Sequence, residues 1–113
     1  MTLIDTHTHL DFPEFDSDRR EVLAHSRELG VQRMVVLGVY QQNWQRLWDL
    51  VQTDEGLFAA FGLHPVYLDD HRPADLRALG DWLTRLQGHR QLCAVGEIGL
   101  DYFLEHLDRA RQQ

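Results

Sequence analysis

Seven histidines are spread through the chain, and two of them stand one residue apart in His7-Thr8-His9. Alternate residues of a strand project to the same face, so a strand here sets two imidazoles side by side. Neutral imidazole nitrogens bind divalent metals at roughly 2.0–2.1 Å, and two on one rigid edge make half a site. With seven His in the chain, one H-x-H pair is within chance, and two half-exposed histidines at a strand end are the competing reading. A second group is Gly96-Glu97-Ile98-Gly99, which follows the apolar run Cys93-Ala94-Val95. A Glu continuing such a run is costly to bury without a cation or a donor. The alternative is a rim carboxylate beside a tight turn. The third group is Gly62-Leu63-His64-Pro65, where Gly62 permits close backbone approach and Pro65 stops a strand. His64 is then either a hydrogen-bonded structural group or part of the site. Two His and a carboxylate can bind one metal or share two.

Something must bring these groups together, and the apolar pattern says what. Leu3-Ile4 opens a strand leading into His7 and His9; Met34 to Leu37, Leu57 to Phe61 and Leu92 to Val95 are three further apolar runs. Unbroken runs suit strands covered on both faces. Helical spacing falls between them. Arg19 to Leu29 is a helix with Val22, Leu23, Ser26 and Leu29 inward, an Asp18-x-x-Glu21 start and Gly30 as its stop. Trp44, Leu47, Trp48 and Val51 mark a second helix ending near Gly56, their rings being packing groups. Leu76, Leu79, Leu83 and Leu86 mark a third, with Pro73 in its first turn, and Phe103 to Gln113 reads as the start of a fourth. Strands alternating with helices predict an α/β chain of βαβ units with a parallel sheet. Parallel folds keep ligand sites at the carboxyl ends of their strands, where His7, His9, His64 and Glu97 all fall. Asp5 shares the face of His7 and His9 and is placed to orient a ligand or pair with Arg. Asp11 and Asp101 read as solvated loop or cap residues, and Asp11, Glu14, Asp16 and Asp18 as a solvated acidic connection.

Composition narrows the function. Eleven bases, all Arg, against 18 acids leave a net charge of −7, so bulk electrostatics cannot hold nucleic acid and any phosphate contact is local. No phosphate-cradling glycine loop, nucleophile elbow, zinc-knuckle cysteines or basic run is present. The single Cys93 permits no disulfide within the chain, and the N-terminus lacks the basic and apolar segments of a signal peptide. A cytoplasmic protein is the expectation. Met34 to Val39, the longest apolar stretch, is too short to cross a bilayer.

Taken in order, Ile4-Asp5-Thr6-His7-Thr8-His9-Leu10-Asp11, Gly62-Leu63-His64-Pro65 and Val95-Gly96-Glu97-Ile98-Gly99-Leu100-Asp101-Tyr102 resemble the TatD family of metal-dependent deoxyribonucleases. The resemblance runs the length of the chain. It implies a (β/α)8 barrel cleaving phosphodiester bonds of DNA with divalent ions, Mg2+, Mn2+ or Zn2+, two to a complete site. By position it implies that His7 and His9 bind one ion, that Glu97 bridges two, and that His64 lies near the substrate phosphate. Such a barrel takes about 250 residues. Residues 1–113 would then be its N-terminal half, with strands 1 to 4, helices 1 to 3 and the start of helix 4. The family's two further His and its water-activating Asp belong to later strands and have no counterpart here, so this chain alone is expected to be weakly active or inactive.

Two rivals stand beside that reading. Amidohydrolases also begin with H-x-H on the first strand, but their sites more often use a carboxylated Lys, and the chain has none. The other is a non-catalytic fragment acting by self-association. An open four-stranded sheet has two unpaired edges, and Leu3, Val35, Val36, Phe58, Phe61, Leu92 and Val95 are expected to leave apolar surface bare.

Overall fold

Strands and helices alternate along the chain, as the hydrophobic periods require. The computed structural model describes residues 1–113. Its elements are β1 Leu3–Thr8, α1 Arg19–Glu28, β2 Val31–Leu37, α2 Trp44–Val51, β3 Leu57–Phe61, α3 Pro73–Leu86, β4 Leu92–Val95 and α4 Arg109–Gln112. Short 3-10 segments at Pro13–Phe15, Gln41–Asn43 and Pro65–Asp70 lie in the loops after β1, β2 and β3. The strands pair in chain order and all run parallel. Their carboxyl ends therefore form one edge. No helix is long and apolar enough to cross a membrane.

The two central strands are packed under helices on one face, while the other face carries its own small apolar cluster. Met34, Val36, Leu57, Ala59 and Phe61 turn towards Trp44, Leu47 and Val51 of α2, while Val35, Leu37 and Ala60 pack together on the other side. Most of the expected bare surface thus lies at the edges, with Phe58 of β3 half-buried. Leu3 and Val95 are 40% and 48% exposed, but Val36 and Phe61 are fully buried and Val35 nearly so. Helices supplied by this same chain already cover one face of the central strands. Gln91, just before β4, donates from Nε2 to the carbonyls of Val51 and Leu57 (2.9 Å each), tying β4 to its neighbours.

The helices differ from expectation where polar groups compete with the periodic pattern. Asp18 stands at the N-cap of α1 without a side-chain bond, its φ/ψ of −140°/9° being far from the extended cap conformation. Arg19 organises this entrance instead, donating from Nε to the Leu10 carbonyl (2.6 Å) and from Nη2 to that of Phe12 (2.8 Å). Leu29 lies past the last turn of α1 and is exposed. The second helix ends at Val51 rather than near Gly56, because Asp54 Oδ1 accepts from the Gly56 N–H at 2.7 Å and closes a turn. In α3 the inward stripe is Ala78, Leu79, Trp82 and Leu86, leaving Leu76 exposed. The fourth helix begins only at Arg109. Asp101 Oδ1 accepts from the N–H groups of Phe103 (3.0 Å) and Leu104 (3.3 Å), holding that segment in a turn until Asp108 caps α4 through the Arg111 N–H.

Candidate metal centre

His7, on β1, and His9, just beyond it, project from one face as their i,i+2 spacing requires, with ring centroids 5.3 Å apart. Their Nε2 atoms lie 3.1 and 3.2 Å from the same oxygen, Oε2 of Glu97. The other carboxylate oxygen, Oε1, is 2.9 Å from His64 Nε2. Three imidazoles from the ends of β1 and β3 thus meet at one carboxylate from the end of β4.

Backbone geometry brings Glu97 there. Gly96 N–H donates to the Phe61 carbonyl at the end of β3 (2.9 Å), and Glu97 N–H donates to the Gly38 carbonyl just past β2 (2.8 Å). The chain after β4 therefore steps across the end of β3, passing over Gly62. The Gly96–Glu97 peptide is cis. On the other side of Gly62, its carbonyl accepts from Trp44 Nε1 at 3.2 Å.

The ring tautomers follow from the partners. His9 Nδ1 lies 3.2 Å from the Leu37 carbonyl, which can only accept, so Nδ1 carries the proton and Nε2 offers a lone pair. Phe12 stacks on the same ring at 5.0 Å. His64 is the reverse. Its Nδ1 accepts from the Val66 N–H at 3.0 Å, so the neutral ring carries its proton on Nε2 and donates to Glu97. With its proton on Nδ1, His9 turns Nε2 to a carboxylate oxygen at 3.2 Å, a contact that either a proton on Nε2 or a shared cation satisfies. The donor set fits a divalent ion. Two imidazole nitrogens and one carboxylate oxygen lie within 4.8 Å of one another, and donors around a four-coordinate ion with bonds of about 2.1 Å are about 3.4 Å apart.

The neighbouring acids take different roles. Asp5 Oδ1 accepts from the His7 N–H at 3.0 Å and pairs with no Arg, steadying the strand that carries the imidazoles. Asp11 is not a solvated loop residue: it is 1% exposed, its Oδ2 accepts from Asn43 Nδ2 and its Oδ1 has no partner. Burial pushes its carboxyl above the usual range, against the opposing pull of backbone bonding, His9, Asn43 and Arg46. Asp16 is exposed but not merely solvated. It accepts from Arg19 (2.7 Å) and from Arg46, and the Arg19 hydrogen bond is the main cause of its lowered pKa. At the rim Tyr67 packs edge-on against His64 (5.9 Å) and Tyr40 (5.1 Å). Burial raises its hydroxyl pKa, aided by Tyr40 and by acids including Glu97. Asn43, Tyr40 and Tyr67 were not singled out by sequence, since nothing local marks a residue whose partner is a distant loop.

A family model described as TatD related DNase matches residues 4–113. The chain belongs to the TatD-related DNase family. Among its TatD relatives is Escherichia coli K12 YjjV, named as an uncharacterized metal-dependent hydrolase, 38% identical over 110 residues covering 97% of this chain and 42% of YjjV. Bacillus subtilis YabD, named likewise, is 34% identical over 96% of this chain and 40% of its own length. Human TATDN3, named a deoxyribonuclease, is 30% identical over 88% of this chain and 38% of that protein. The crystal structure of YjjV, a TatD homologue, superposes with a TM-score of 0.89 at 37% identity, covering 97% of this chain and 42% of the other. The chain thus spans about two-fifths of the length of these relatives. Its four parallel strand–helix units are an α/β arrangement forming about half of a (β/α)8 barrel.

Proposed function

We propose that residues 1–113 are the N-terminal half of a TatD-type barrel whose complete form hydrolyses phosphodiester bonds of DNA with divalent ions. His7, His9 and Glu97 hold metal in this reading, and the His64 Nε2–H, 2.9 Å from Glu97 Oε1, would pass from that oxygen to one of the substrate phosphate. The observation that carries it is the meeting of His7 and His9 Nε2 atoms on one Glu97 oxygen, at 3.1 and 3.2 Å. A divalent ion supplies Lewis-acid polarisation of a phosphoryl oxygen and lowers the pKa of water. The chain's own groups orient and donate. The Leu37 carbonyl keeps the His9 lone pair facing inward, and the Val66 N–H keeps a proton on His64 Nε2. Support for DNA comes from the deoxyribonuclease name of human TATDN3 and of the family. Mg2+, Mn2+ and Zn2+ are the candidate ions, two to a complete site. Two His and an Asp from later strands complete the shell, the Asp activating water. The 113-residue chain alone is then weakly active or inactive.

The test joins this chain to the later strands of YjjV and assays both proteins on single-stranded DNA with each ion. The fusion is expected to cleave, and His7→Ala or Glu97→Gln within it to abolish cleavage. A folded, metal-loaded fusion that leaves DNA intact, or one indifferent to both substitutions, would overturn the proposal.

A further inference from the structure

His71 closes the segment that carries His64, and its bonding is lopsided. Its Nε2 lies 2.7 Å from the His64 backbone carbonyl, a pure acceptor, so Nε2 carries the proton. Its Nδ1 is therefore a lone pair, and it is buried with no partner. Such an atom costs stability, and an apolar side chain would fill the space without it. The value of His71 thus lies in the donor it aims at His64. The carbonyl it holds also accepts from the Tyr67 N–H at 3.1 Å, and the Val66 N–H of the same turn caps His64 Nδ1. From outside, Arg111 Nη2 of α4 donates to the His71 carbonyl at 2.6 Å, and the same guanidinium reaches Asp69 at 3.7 Å. His64 is clamped at its backbone by one histidine and at its ring by one peptide N–H.

We propose that His71 is a positioning residue of this site, holding the His64 carbonyl so that His64 presents Nε2–H, a donor, to an oxyanion bound beside Glu97. This rests on the reading that the site takes a phosphate group, and it adds how the chain keeps His64 a donor instead of a third metal-binding imidazole. His9, with its proton fixed on Nδ1 by the Leu37 carbonyl, is the opposite case in the same site. The two rings are assigned to different chemistry by the backbone groups they meet, and on the His64 side His71 holds that turn in place.

The test uses histidine labelled with nitrogen-15, with ring tautomers read from long-range proton–nitrogen correlations in the wild type, His71→Gln and His71→Leu. Gln keeps a terminal N–H donor near the position of Nε2, and Leu removes it. The expected result is a single Nε2–H tautomer for His64 in the wild type and His71→Gln, and a mixture in His71→Leu. In parallel, inorganic phosphate is titrated into the Mn2+-loaded proteins. Its affinity is expected to fall about tenfold in His71→Leu and to recover in His71→Gln, with Mn2+ affinity the same in all three. His71→Ala replaces the Leu variant if that chain fails to fold by circular dichroism. Retention of the single Nε2–H tautomer together with wild-type phosphate affinity in the donor-less variant would overturn the proposal, as would equal losses in the Gln and Leu variants. Should the wild type bind Mn2+ but no phosphate, the phosphate reading falls, and the His64 tautomer still decides the role of His71.

Discussion

Gly62 and Glu97 occupy adjoining space that admits no side chain. A Cβ on Gly62 would lie 2.7 Å from the Glu97 carbonyl oxygen, 2.9 Å from its nitrogen and 2.6 Å from the Gly96 carbonyl carbon. All three contacts are with backbone, so no side-chain rotation relieves them. Gly62→Ala is expected to displace Glu97 from the imidazoles, lowering divalent-metal affinity by about tenfold or more and stability by about 1–3 kcal/mol. Calorimetric metal titration and thermal melts check this. Unchanged metal affinity would mean that the crossing over β3 does not set the carboxylate.

Asp16 gives the fold a predictable acid limb. Its carboxyl is held below the usual aspartate range, first by the Arg19 hydrogen bond and then by Arg46. A depressed folded pKa contributes stability that is present above the unfolded value and lost as pH falls through the folded one. Urea unfolding between pH 6 and pH 2 is expected to show that loss in the wild type and a shallower one in Asp16→Asn. Added salt should shrink the difference, because the group is exposed and screened. Equal slopes for the two proteins would remove Asp16 from the account.

The sheet edges make association the expected behaviour of the isolated chain. β1 and β4 are unpaired on their outer sides. Ile4 and Val95 are 55% and 48% exposed there, with Ile98 and Leu100 beside β4 exposed as well. Sedimentation equilibrium should show a mass rising with concentration despite a net charge of −7. Ile4→Lys combined with Val95→Lys should return the chain to a monomer. A monomer over the whole concentration range in the wild type would contradict this.

Much of the fold was legible because its signals are local. Apolar runs gave the four strands, and the period-2 rule put His7 and His9 on one face without any long-range information. Glu97 stood out because a carboxylate after Cys93-Ala94-Val95 needs a partner, and Gly62 because a glycine at a strand end permits close approach. What stayed hidden depends on partners far apart in sequence. The Asp11–Asn43 pair joins the loops after β1 and β2, so Asp11 read as a solvated residue. The His71 contact with the His64 carbonyl left no mark in spacing. Trp82 rather than Leu76 faces the core, since helical period alone does not say which stripe a neighbouring strand will cover. The late start of α4 was missed because Asp101 competes for the N–H groups of residues 103 and 104.

The most direct test of the central claim is a Zn2+ titration of the purified chain by calorimetry, beside His7→Ala, His9→Ala and Glu97→Gln. Each variant's fold is checked by circular dichroism before titration. The wild type is expected to show one saturable site, and each substitution to weaken it by about tenfold or more, because each removes one of three converging donors. Zn2+ affinity left unchanged by all three substitutions would contradict the metal centre.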